Sequence, residues 1–337
     1  MDHRRGEPGS TLRAADVGHR VVVRRYVGDV RAGRPLYTDI LGQLVALDDN
    51  GLLVRTEDGT EHAIAAADVA AGKRVGPRPT RYSEIVALER VADEAWPAPV
   101  REPLGDWTLR SAEGWTNRAN SALPLGDPGM PIGDAIEACV TWYRRQGLTP
   151  RITVPLPLRR DVADALTAAG WHAQPVVLVQ TVPLGARSAR TGPGSTVRLE
   201  TEPSEEFLAA ARVRKTSLPD SAHRVLTGPA QVRFAEARGY NCALLAMARG
   251  ALVRTWLHLG LVEVMPAARR LGHATRVSLA LMDWGRRAGA TRAFLQVEEA
   301  NAPAVALYHG LDFATHHRYV TYALRSDTPS PIMDLGP

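Results

Sequence analysis

The chain has 337 residues, of which 45% are hydrophobic and 23% are charged, with a formal net charge of +5. That composition is typical of a globular protein with room for two or three domains, and no run approaches the roughly 20 apolar residues of a membrane span. The polar start lacks the apolar core of a secretory signal, and Cys139 and Cys242 form no metal-spacing motif, so we expect a cytoplasmic, metal-free protein.

Nearly all the positive charge is arginine, since Lys73 and Lys215 are the only lysines. Arginine binds phosphate in a bidentate manner, but a genomic bias towards arginine codons explains the composition more simply. The arginines are scattered, with no dense run and no interleaved aromatic residues, so nucleic-acid binding is not expected.

The first block, residues 12–79, is rich in short β patterns separated by turn signals. Asn50-Gly51 and Asp58-Gly59 precede apolar runs, and such pairs predict hairpins because the turn residues need a positive φ. The predicted strands are 20–24, 40–47, 52–54 and 62–64. Several short strands on hairpins favour a small all-β barrel of the Tudor or Sm kind, and no catalytic motif stands out in it.

The middle block, residues 80–190, alternates helix and strand patterns. The predicted helices are 82–95, 132–143 and 161–169, and the predicted strands are 152–154 and 176–182. Gly147 and Gly170 follow two of these helices as C-caps. The stretch 114–121 is polar and holds Arg118, which suits a clamp on a substrate carboxylate as well as a structural turn.

The third block, residues 196–325, follows a Gly/Pro-rich linker at 191–195 and precedes a tail, residues 326–337, which we expect to be disordered. Its predicted strands are 197–199, 244–248, 252–264, 293–297 and 319–324, with a turn at Arg249-Gly250. Its predicted helices are 205–215, a second around 230–238, 274–287 and 303–308.

One passage of the third block combines the end of a strand, a glycine-containing loop and the start of a helix. The strand ends with Val262, Glu263 and Val264, and the loop and first helical residues are Arg269, Arg270, Leu271, Gly272, His273, Ala274 and Thr275. Backbone N–H groups and the positive helix end point at one spot there, which suits a diphosphate. Gly272 lets the phosphate approach the backbone closely. An ordinary strand-to-helix turn would look similar.

A second motif lies beyond the next predicted strand. It reads Asn301-Ala302-Pro303-Ala304-Val305-Ala306-Leu307-Tyr308 and is followed by Gly310-Leu311-Asp312-Phe313. The ordered pair Arg269-x-x-Gly272-x-Ala274 and Asn301-x-x-Ala304-x-x-Leu307-Tyr308 resembles the GNAT superfamily of acyl-CoA N-acyltransferases. Residues 196–325 carry the resemblance, and Asp312 departs from it by replacing the glycine of the closing Gly-Phe.

The resemblance implies a mixed central sheet whose parallel strands splay apart around acetyl-CoA, the co-substrate. Val262, Glu263 and Val264 would bind the pantetheine arm through their backbone, as an added strand would be bound. The loop Arg269–Thr275 would hold the diphosphate, and Asn301 would help to fix the pantetheine. Gly260 inside the strand fits a bulge that opens the cleft. The implied reaction is acetyl transfer to a primary amine, which makes the chain a transferase.

For catalysis, the resemblance implies Tyr308 as the proton donor to the departing thiolate. The general base stays open. One family position holds Gln296, which cannot accept a proton, and another holds His258, whose ordinary pKa of about 6.5 suits proton relay. The alternatives to His258 are Glu263, Glu298, Glu299 and an ordered water.

The middle block repeats the element order of the C-terminal half of the same fold without a phosphate loop, which predicts a degenerate partial copy. The whole chain resembles an actinobacterial group described as N-acetylglutamate-synthase-like. We therefore expect an α/β (α+β) fold and a small-molecule amine acceptor, glutamate first, with Arg118 as a candidate substrate contact. A protein or peptide amine and a non-catalytic acyl-CoA sensor are the alternatives. The oligomeric state stays open, with a homodimer as one option.

Overall fold

The computed structural model describes residues 9–31, 34–76, 78–185, 197–213, 218–240 and 242–324. The chain divides into two compact units, Met1–Pro79 and Thr80–Pro337. The predicted linker at 191–195 and the predicted tail at 326–337 lie outside the described residues. Within the described ranges, no helix is both long and apolar enough to cross a membrane.

The first unit contains one six-stranded sheet. Its strands are β1 (Gly9–Ser10), β2 (Arg20–Arg31), β3 (Arg34–Asp48), β4 (Gly51–Arg55), β5 (Glu61–Ala65) and β6 (Val69–Arg74). They lie in the order β1-β6-β2-β3-β4-β5, and the alternating residues Val21 and Val23 face a core that includes Leu44 and Val54. Both expected hairpins, β3–β4 and β4–β5, are present. Among the described residues β1 and β5 are the sheet edges, so closure into a barrel stays a prediction.

The second unit combines helices and strands, which confirms the expected α/β (α+β) class. Its strands are β7 (Val100–Leu104), β8 (Trp107–Ser111), β9 (Leu123–Pro124), β10 (Arg151–Leu156), β11 (His172–Ala173), β12 (Val177–Pro183), β13 (Val197–Glu200), β14 (Gln231–Arg238), β15 (Leu244–Val253), β16 (Trp256–Val264), β17 (Arg292–Glu298) and β18 (Ala314–Ala323). Its helices are α1 (Tyr82–Ala95), α2 (Ile132–Arg145), α3 (Arg160–Ala168), α4 (Glu205–Val213), α5 (Asp220–Thr227), α6 (His273–Arg287) and α7 (Ala302–Gly310).

A nine-stranded sheet joins the middle and third blocks of the sequence. Its order is β10-β18-β12-β17-β16-β15-β14-β13, with β11 paired to β18. Strand β12 of the middle block lies antiparallel between β17 and β18 of the third, where Val177 pairs with both Glu298 and Tyr319. The sequence pattern separates the regions 80–190 and 196–325, but the two share one sheet. Strands β10 and β12 of the first region are hydrogen-bonded to strands β17 and β18 of the second.

The region 230–238 forms strand β14, so the helix predicted there is wrong. Val232 and Phe234 are buried at the two-residue spacing of a strand, and β14 is hydrogen-bonded to β13 on one side and β15 on the other. These cross-strand contacts outweigh the helix propensity of its alanine and glutamate residues. The helix in this part of the chain is α5, which precedes β14.

The turn predicted at Arg249-Gly250 is also wrong. Strand β15 continues through both residues, and the chain reverses at Arg254-Thr255, where Arg254 has a φ of 55°. Gly250 is a packing position, because a Cβ there would lie only 2.8 Å from the Leu281 side chain of α6. A glycine inside a strand can mark the close approach of a neighbouring element as well as a turn.

Helices cover both faces of the large sheet. On one face, α6 and α7 pack over β15–β17, and Leu257, Leu281 and Tyr308 belong to the same core cluster. On the other face, α1 packs over β12, β15 and β17, with Leu88 in a cluster that includes Phe294. The open end of the sheet between β16 and β17 therefore lies between two helix-covered faces.

Candidate functional site

Strands β16 and β17 are parallel neighbours over four residues and then part. Residues Trp256–Leu259 pair with Arg292–Leu295, and the described residues show no further pairing of the two strands. A bulge marks the point of parting, since the register of β16 with β15 shifts there and Leu261 has a φ of 50°. A bulge bends the strand that carries it, so the bulge next to Gly260 turns the end of β16 away from β17.

The edge of β16 beyond the bulge faces the opening between the two strands. The backbone N–H of Met265 donates to the carbonyl of Leu245 in β15, 2.9 Å away. Because successive backbone N–H groups of a strand point to opposite edges, the N–H of Val264 is directed towards the opening. The backbone of Val262 shares that orientation, two residues earlier. These are the donors and acceptors that an extended ligand would need.

The loop after β16 leads into the N-terminus of α6. The helix begins at His273, and its N-cap residue Gly272 has a left-handed φ of 76°. The first helical hydrogen bond runs from the Arg276 N–H to the Gly272 carbonyl, 3.1 Å away. The N–H groups of His273, Ala274 and Thr275 therefore belong to the end of the helix where donors lack helical partners. A Cβ at Gly272 would meet no protein atom within 4 Å, so the space beside it is open.

The charges around this helix end are positive. Arg269 and Arg270 are exposed in the loop, beside Leu271, and Arg276 follows in the first turn of the helix. Burial and the neighbouring charge of Arg276 lower the pKa of His273, so this histidine adds no positive charge near neutral pH. The guanidinium groups and the helix dipole together favour an anion at this end of α6.

The second motif forms helix α7 beyond β17. The Asn301 side chain caps this helix by accepting a hydrogen bond from the Ala304 N–H, 3.2 Å away. Tyr308 is buried, and its ring lies 5.8 Å from that of Phe313. Asp312, where the resemblance calls for glycine, has a positive φ of 65°, a conformation that aspartate tolerates better than most residues.

His258 of β16 is buried beside the point of parting. Its Nε2 lies 3.0 Å from Oε1 of Gln296 in β17, and its ring lies 4.9 Å from that of Phe294. Burial, together with the charges of Arg249 and Arg118, lowers the pKa of His258 well below its usual value. The imidazole is therefore neutral at physiological pH and accepts a proton only weakly. This lowered pKa opposes the expected role in proton relay near neutrality.

Arg118 belongs to a buried ion network. Its Nη2 lies 3.3 Å from one carboxylate oxygen of Glu89, and the other oxygen lies 2.8 Å from Nε2 of His317. Burial alone would raise the pKa of Glu89, but the hydrogen bond from His317 and the charge of Arg118 outweigh it and hold the pKa at about 2. The Arg118 guanidinium thus compensates an internal carboxylate, and its role as a substrate clamp stays a prediction.

Sequence reasoning did not identify Glu89 or His317. They lie 228 positions apart, on α1 and β18, so no local motif connects them. One signal was available: Glu89 lies four residues after Ile85 and three before Ala92, on the buried stripe of α1. A charged residue on such a stripe indicates a buried partner.

The other acidic candidates for the general base lie on β16 and at the end of β17. Glu298 and Glu299 are exposed at the end of β17, and a carboxylate oxygen of Glu299 lies 3.7 Å from Arg318. Glu263 is partly buried on β16. Within the described part of the chain, no group of three or more histidine, cysteine, aspartate or glutamate side chains could hold a metal ion.

Comparison with known families and sequences gives a consistent result. The family described as "Probable histone acetyltransferase Rv0428c C-terminal" matches residues 82–322. The Mycobacterium tuberculosis protein named probable histone acetyltransferase Rv0428c is 31% identical over 308 residues, covering 89% of this chain and 93% of its own length. The Bacillus subtilis protein named uncharacterized N-acetyltransferase YobR is 28% identical over 244 residues, covering 70% of this chain and 98% of its own.

The fold has a counterpart among solved structures. A GCN5-related N-acetyltransferase from Kribbella flavida superimposes with a TM-score of 0.57 at 16% sequence identity. The match covers 73% of this chain and 96% of the other. At that identity the likeness concerns the fold, including the mixed central sheet.

Proposed function

The chain belongs to the GNAT-type acetyltransferase family that is described by the C-terminal region of Rv0428c, and on that premise we propose that it transfers an acetyl group from acetyl-CoA to a primary amine. The observation that carries the proposal is the opening between β16 and β17, with the N-terminus of α6 beside it. Membership of an acetyltransferase family favours turnover over the alternative of a cofactor sensor.

In this proposal acetyl-CoA lies along β16 and ends at the start of α6. The backbone of Val262 and Val264 binds the pantetheine arm in the manner of an added strand, whereas the backbone of Glu263, between them, faces β15. The N–H groups of residues 270–275 hold the diphosphate, supported by the positive helix end and by the loop arginines. Asn301 adds a polar contact to the pantetheine from the start of α7, next to its capping hydrogen bond.

The reaction requires a neutral amine, a stabilised oxyanion and a proton for the departing thiolate. The amine nitrogen attacks the thioester carbonyl, a C–N bond forms, and the C–S bond then breaks. The Val264 N–H, directed towards the opening, is the proposed donor to the oxyanion. The Tyr308 hydroxyl is the proposed proton donor to the coenzyme A sulfur.

The amine proton needs an acceptor, and the chain offers several candidates. His258 stays a hypothesis, but its lowered pKa makes it a weak base at neutral pH. Glu263 is partly buried beside the bulge, whereas Glu298 and Glu299 are exposed. An ordered water, linked to solvent, can also take the proton from an amine that enters charged. The lowered pKa of His258 therefore favours Glu263 or water over this histidine as the base.

The acceptor is the least constrained part of the proposal. A small amine such as glutamate was the first expectation, with a protein or peptide amine as the alternative. The predicted anchor for the carboxylate of glutamate, Arg118, is already paired with Glu89. The Mycobacterium tuberculosis relative is named a probable histone acetyltransferase, which supports the protein amine.

The transferase itself can be tested without knowing the acceptor. The full-length chain is incubated with acetyl-CoA and a panel of amino acids, polyamines and lysine peptides, and the release of coenzyme A thiol is measured. We expect thiol release that depends on the amine and an acetylated product detected by mass spectrometry. Tight binding of acetyl-CoA without thiol release for any amine would instead support a sensor.

A further inference from the structure

Strands β6, β2 and β3 of the first unit have one face towards its core and the other towards solvent. The core residues Val21 and Val23 mark the inner face of β2, so the side chains at the alternate positions lie on the outer face. Across the strands, Val22 pairs with both Lys73 and Leu41. The larger side chains of this outer face are Arg20, Val22, Arg24 and Tyr26 of β2, Tyr37, Asp39, Leu41 and Gln43 of β3, and Lys73 of β6.

Two tyrosines lie at one end of the outer face. Tyr26 pairs with Tyr37 across β2 and β3, and the two rings meet edge to face with their centroids 6.1 Å apart. Tyr37 is 50% exposed, and Leu41, two rows away on the same strand, is 42% exposed. A tyrosine combines a flat apolar ring with a polar hydroxyl, so exposed tyrosines beside exposed apolar residues indicate a surface on which a partner packs.

The tyrosine pair lies where the hairpin of β2 and β3 extends beyond its neighbouring strands. The pairing of β2 with β6 ends at Arg25, and the pairing of β3 with β4 begins at Gln43. Among the described residues, the stretches 26–31 and 34–42 therefore pair only with each other. A two-stranded hairpin is marginally stable by itself in water, so a ligand that packs on the tyrosines would also stabilise this part of the sheet.

Charge is segregated among the strands of this unit. Strands β2 and β6 carry one carboxylate, Asp29, and six cations: Arg20, Arg24, Arg25, Arg31, Lys73 and Arg74. The stretch 48–61 includes β4 and the turns on both sides of it and has the opposite balance, with one cation, Arg55, and five carboxylates: Asp48, Asp49, Glu57, Asp58 and Glu61. The β2–β6 part of the sheet therefore attracts anions.

Two cations of the outer face have no carboxylate partner among the described residues. Arg24 is neutralised, because its Nε and Nη2 donate to the two carboxylate oxygens of Asp39, 2.8 and 3.0 Å away. Arg20 donates to the Gly76 carbonyl, 3.2 Å away, which leaves the charge of its guanidinium uncompensated. Lys73 is exposed and forms no ion pair with a described residue. Arg20 and Lys73 are therefore available to an anionic ligand.

The outer face suits a ligand that carries both flat rings and anionic groups. Single-stranded nucleic acid has both, because its bases stack on aromatic side chains while its phosphates bind cations. An acidic peptide would offer carboxylates to Lys73 but no repeated ring to Tyr37. The six residues of strand from Arg20 to Tyr26 span roughly 20 Å, which suits a short site of about four nucleotides.

We propose that the outer face binds single-stranded nucleic acid, with a base stacked on Tyr37 and phosphates beside Lys73 and Arg20. Scattered along the sequence, the arginines predicted no nucleic-acid binding, whereas the sheet places unpaired cations and the tyrosine pair on one face. The inference concerns the first unit and does not depend on the acetyl transfer proposed for the second.

Direct binding is the first test. Fluorescence anisotropy measures the affinity of the full-length chain for labelled oligo-dT, oligo-U and polyglutamate of equal length, about 12 units each. We expect the better oligonucleotide to bind about tenfold or more tightly than polyglutamate, and its identity distinguishes DNA from RNA. Two phosphate contacts predict a slope of about −1.4 for the logarithm of affinity against the logarithm of salt concentration. Equal affinity for polyglutamate, or no binding of either oligonucleotide, overturns the inference.

A double-mutant cycle tests the stacking of a base on Tyr37. Tyr37→Ala and wild type are compared on the preferred oligonucleotide and on an abasic strand with the same phosphates. We expect Tyr37→Ala to weaken the normal strand about fivefold to one-hundredfold and to leave the abasic strand unchanged. Tyr37→Phe keeps the ring and should retain the affinity, and Tyr240→Ala, at an exposed tyrosine of the second unit, is the matched control. Equal effects of Tyr37→Ala on the two strands would refute stacking.

Removal of one cation tests the phosphate contact. Lys73→Ala should make the salt slope shallower by about 0.7, whereas Arg145→Ala, which removes an exposed charge from α2, should leave the slope unchanged. Acetyl-CoA affinity by calorimetry should be the same in Lys73→Ala, Tyr37→Ala and wild type, so these outcomes are independent of the proposed acetyl transfer. A slope in Lys73→Ala equal to that of wild type would contradict a phosphate at this position and overturn the proposed site.

Discussion

Replacement of Gly272 by valine tests how the loop before α6 binds acetyl-CoA. The residue has a φ of 76°, and a Cβ there would point into open space rather than into the protein. A residue with a Cβ in the left-handed region costs about 1–2 kcal/mol, and a β-branched residue lies at the upper end. In addition, the valine side chain would occupy the space through which a phosphate approaches the backbone.

The expected loss of affinity follows from the hydrogen bonds that the side chain would block. A hydrogen bond to a charged group contributes about 1.5–3 kcal/mol, so the loss of one such bond weakens acetyl-CoA binding roughly tenfold to one-hundredfold. Isothermal titration calorimetry measures the affinity, and urea denaturation measures the stability. We expect Gly272→Val to lower both quantities.

A second glycine, just beyond the C-terminus of α6, distinguishes backbone strain from obstruction of the phosphate. Gly289 follows the C-terminus of α6, has a φ of 100°, and a Cβ there also meets nothing within 4 Å. Gly289→Val should therefore lower the free energy of unfolding by about the same 1–2 kcal/mol without changing acetyl-CoA affinity. Wild-type affinity in Gly272→Val, or an equal loss of affinity in Gly289→Val, would refute the assignment of the loop.

Three further predictions concern single side chains. Tyr308→Phe keeps the ring next to Phe313 and should lower kcat about tenfold or more with acetyl-CoA affinity unchanged, because proton donation matters in the transition state. His258→Gln should flatten the pH dependence of the free energy of unfolding. The pKa of His258 is lower in the folded chain than in the unfolded chain, so the wild-type protein is fully stable above about pH 6.5 and loses stability as the pH falls. The loss from this one group is at most about 2 kcal/mol at pH 5. Glu89→Gln should lower the free energy of unfolding by about 3–5 kcal/mol in urea denaturation, because it leaves the buried guanidinium of Arg118 without its carboxylate partner.

Exposed residues of the same type serve as controls for these variants. Tyr240→Phe, His223→Gln and Glu94→Gln alter exposed or half-exposed side chains and should have small effects on the same measurements. Normal turnover by Tyr308→Phe would reduce the tyrosine to a packing role. Equal pH slopes for His258→Gln and wild type would contradict a neutral, buried imidazole. A stability loss as small as that of Glu94→Gln would contradict the buried network.

Local patterns predicted most elements of the second unit. Helix α1 begins and ends at the predicted residues, Tyr82 and Ala95, because its apolar spacing and the following Pro97 are both visible in the sequence. The strand–loop–helix passage around Gly272 was equally predictable, since a glycine at positive φ before a helix is a local feature. Region 230–238 was mispredicted, because its alanines and glutamate favour a helix and only strand pairing overrides them.

The sequence by itself determined the phosphate-type loop, the capped helix α7 with Tyr308 and the resemblance to acetyltransferases, because each depends on residues within a few turns of one another. Only the tertiary structure decided that β12 enters the sheet between β17 and β18, that Glu89 meets His317 and Arg118, and that Lys73 joins Tyr26 and Tyr37 on one face of the first sheet. These contacts join residues that are far apart in the chain. Their geometry is set by sheet order and by the packing of whole elements, which no local pattern of side chains encodes.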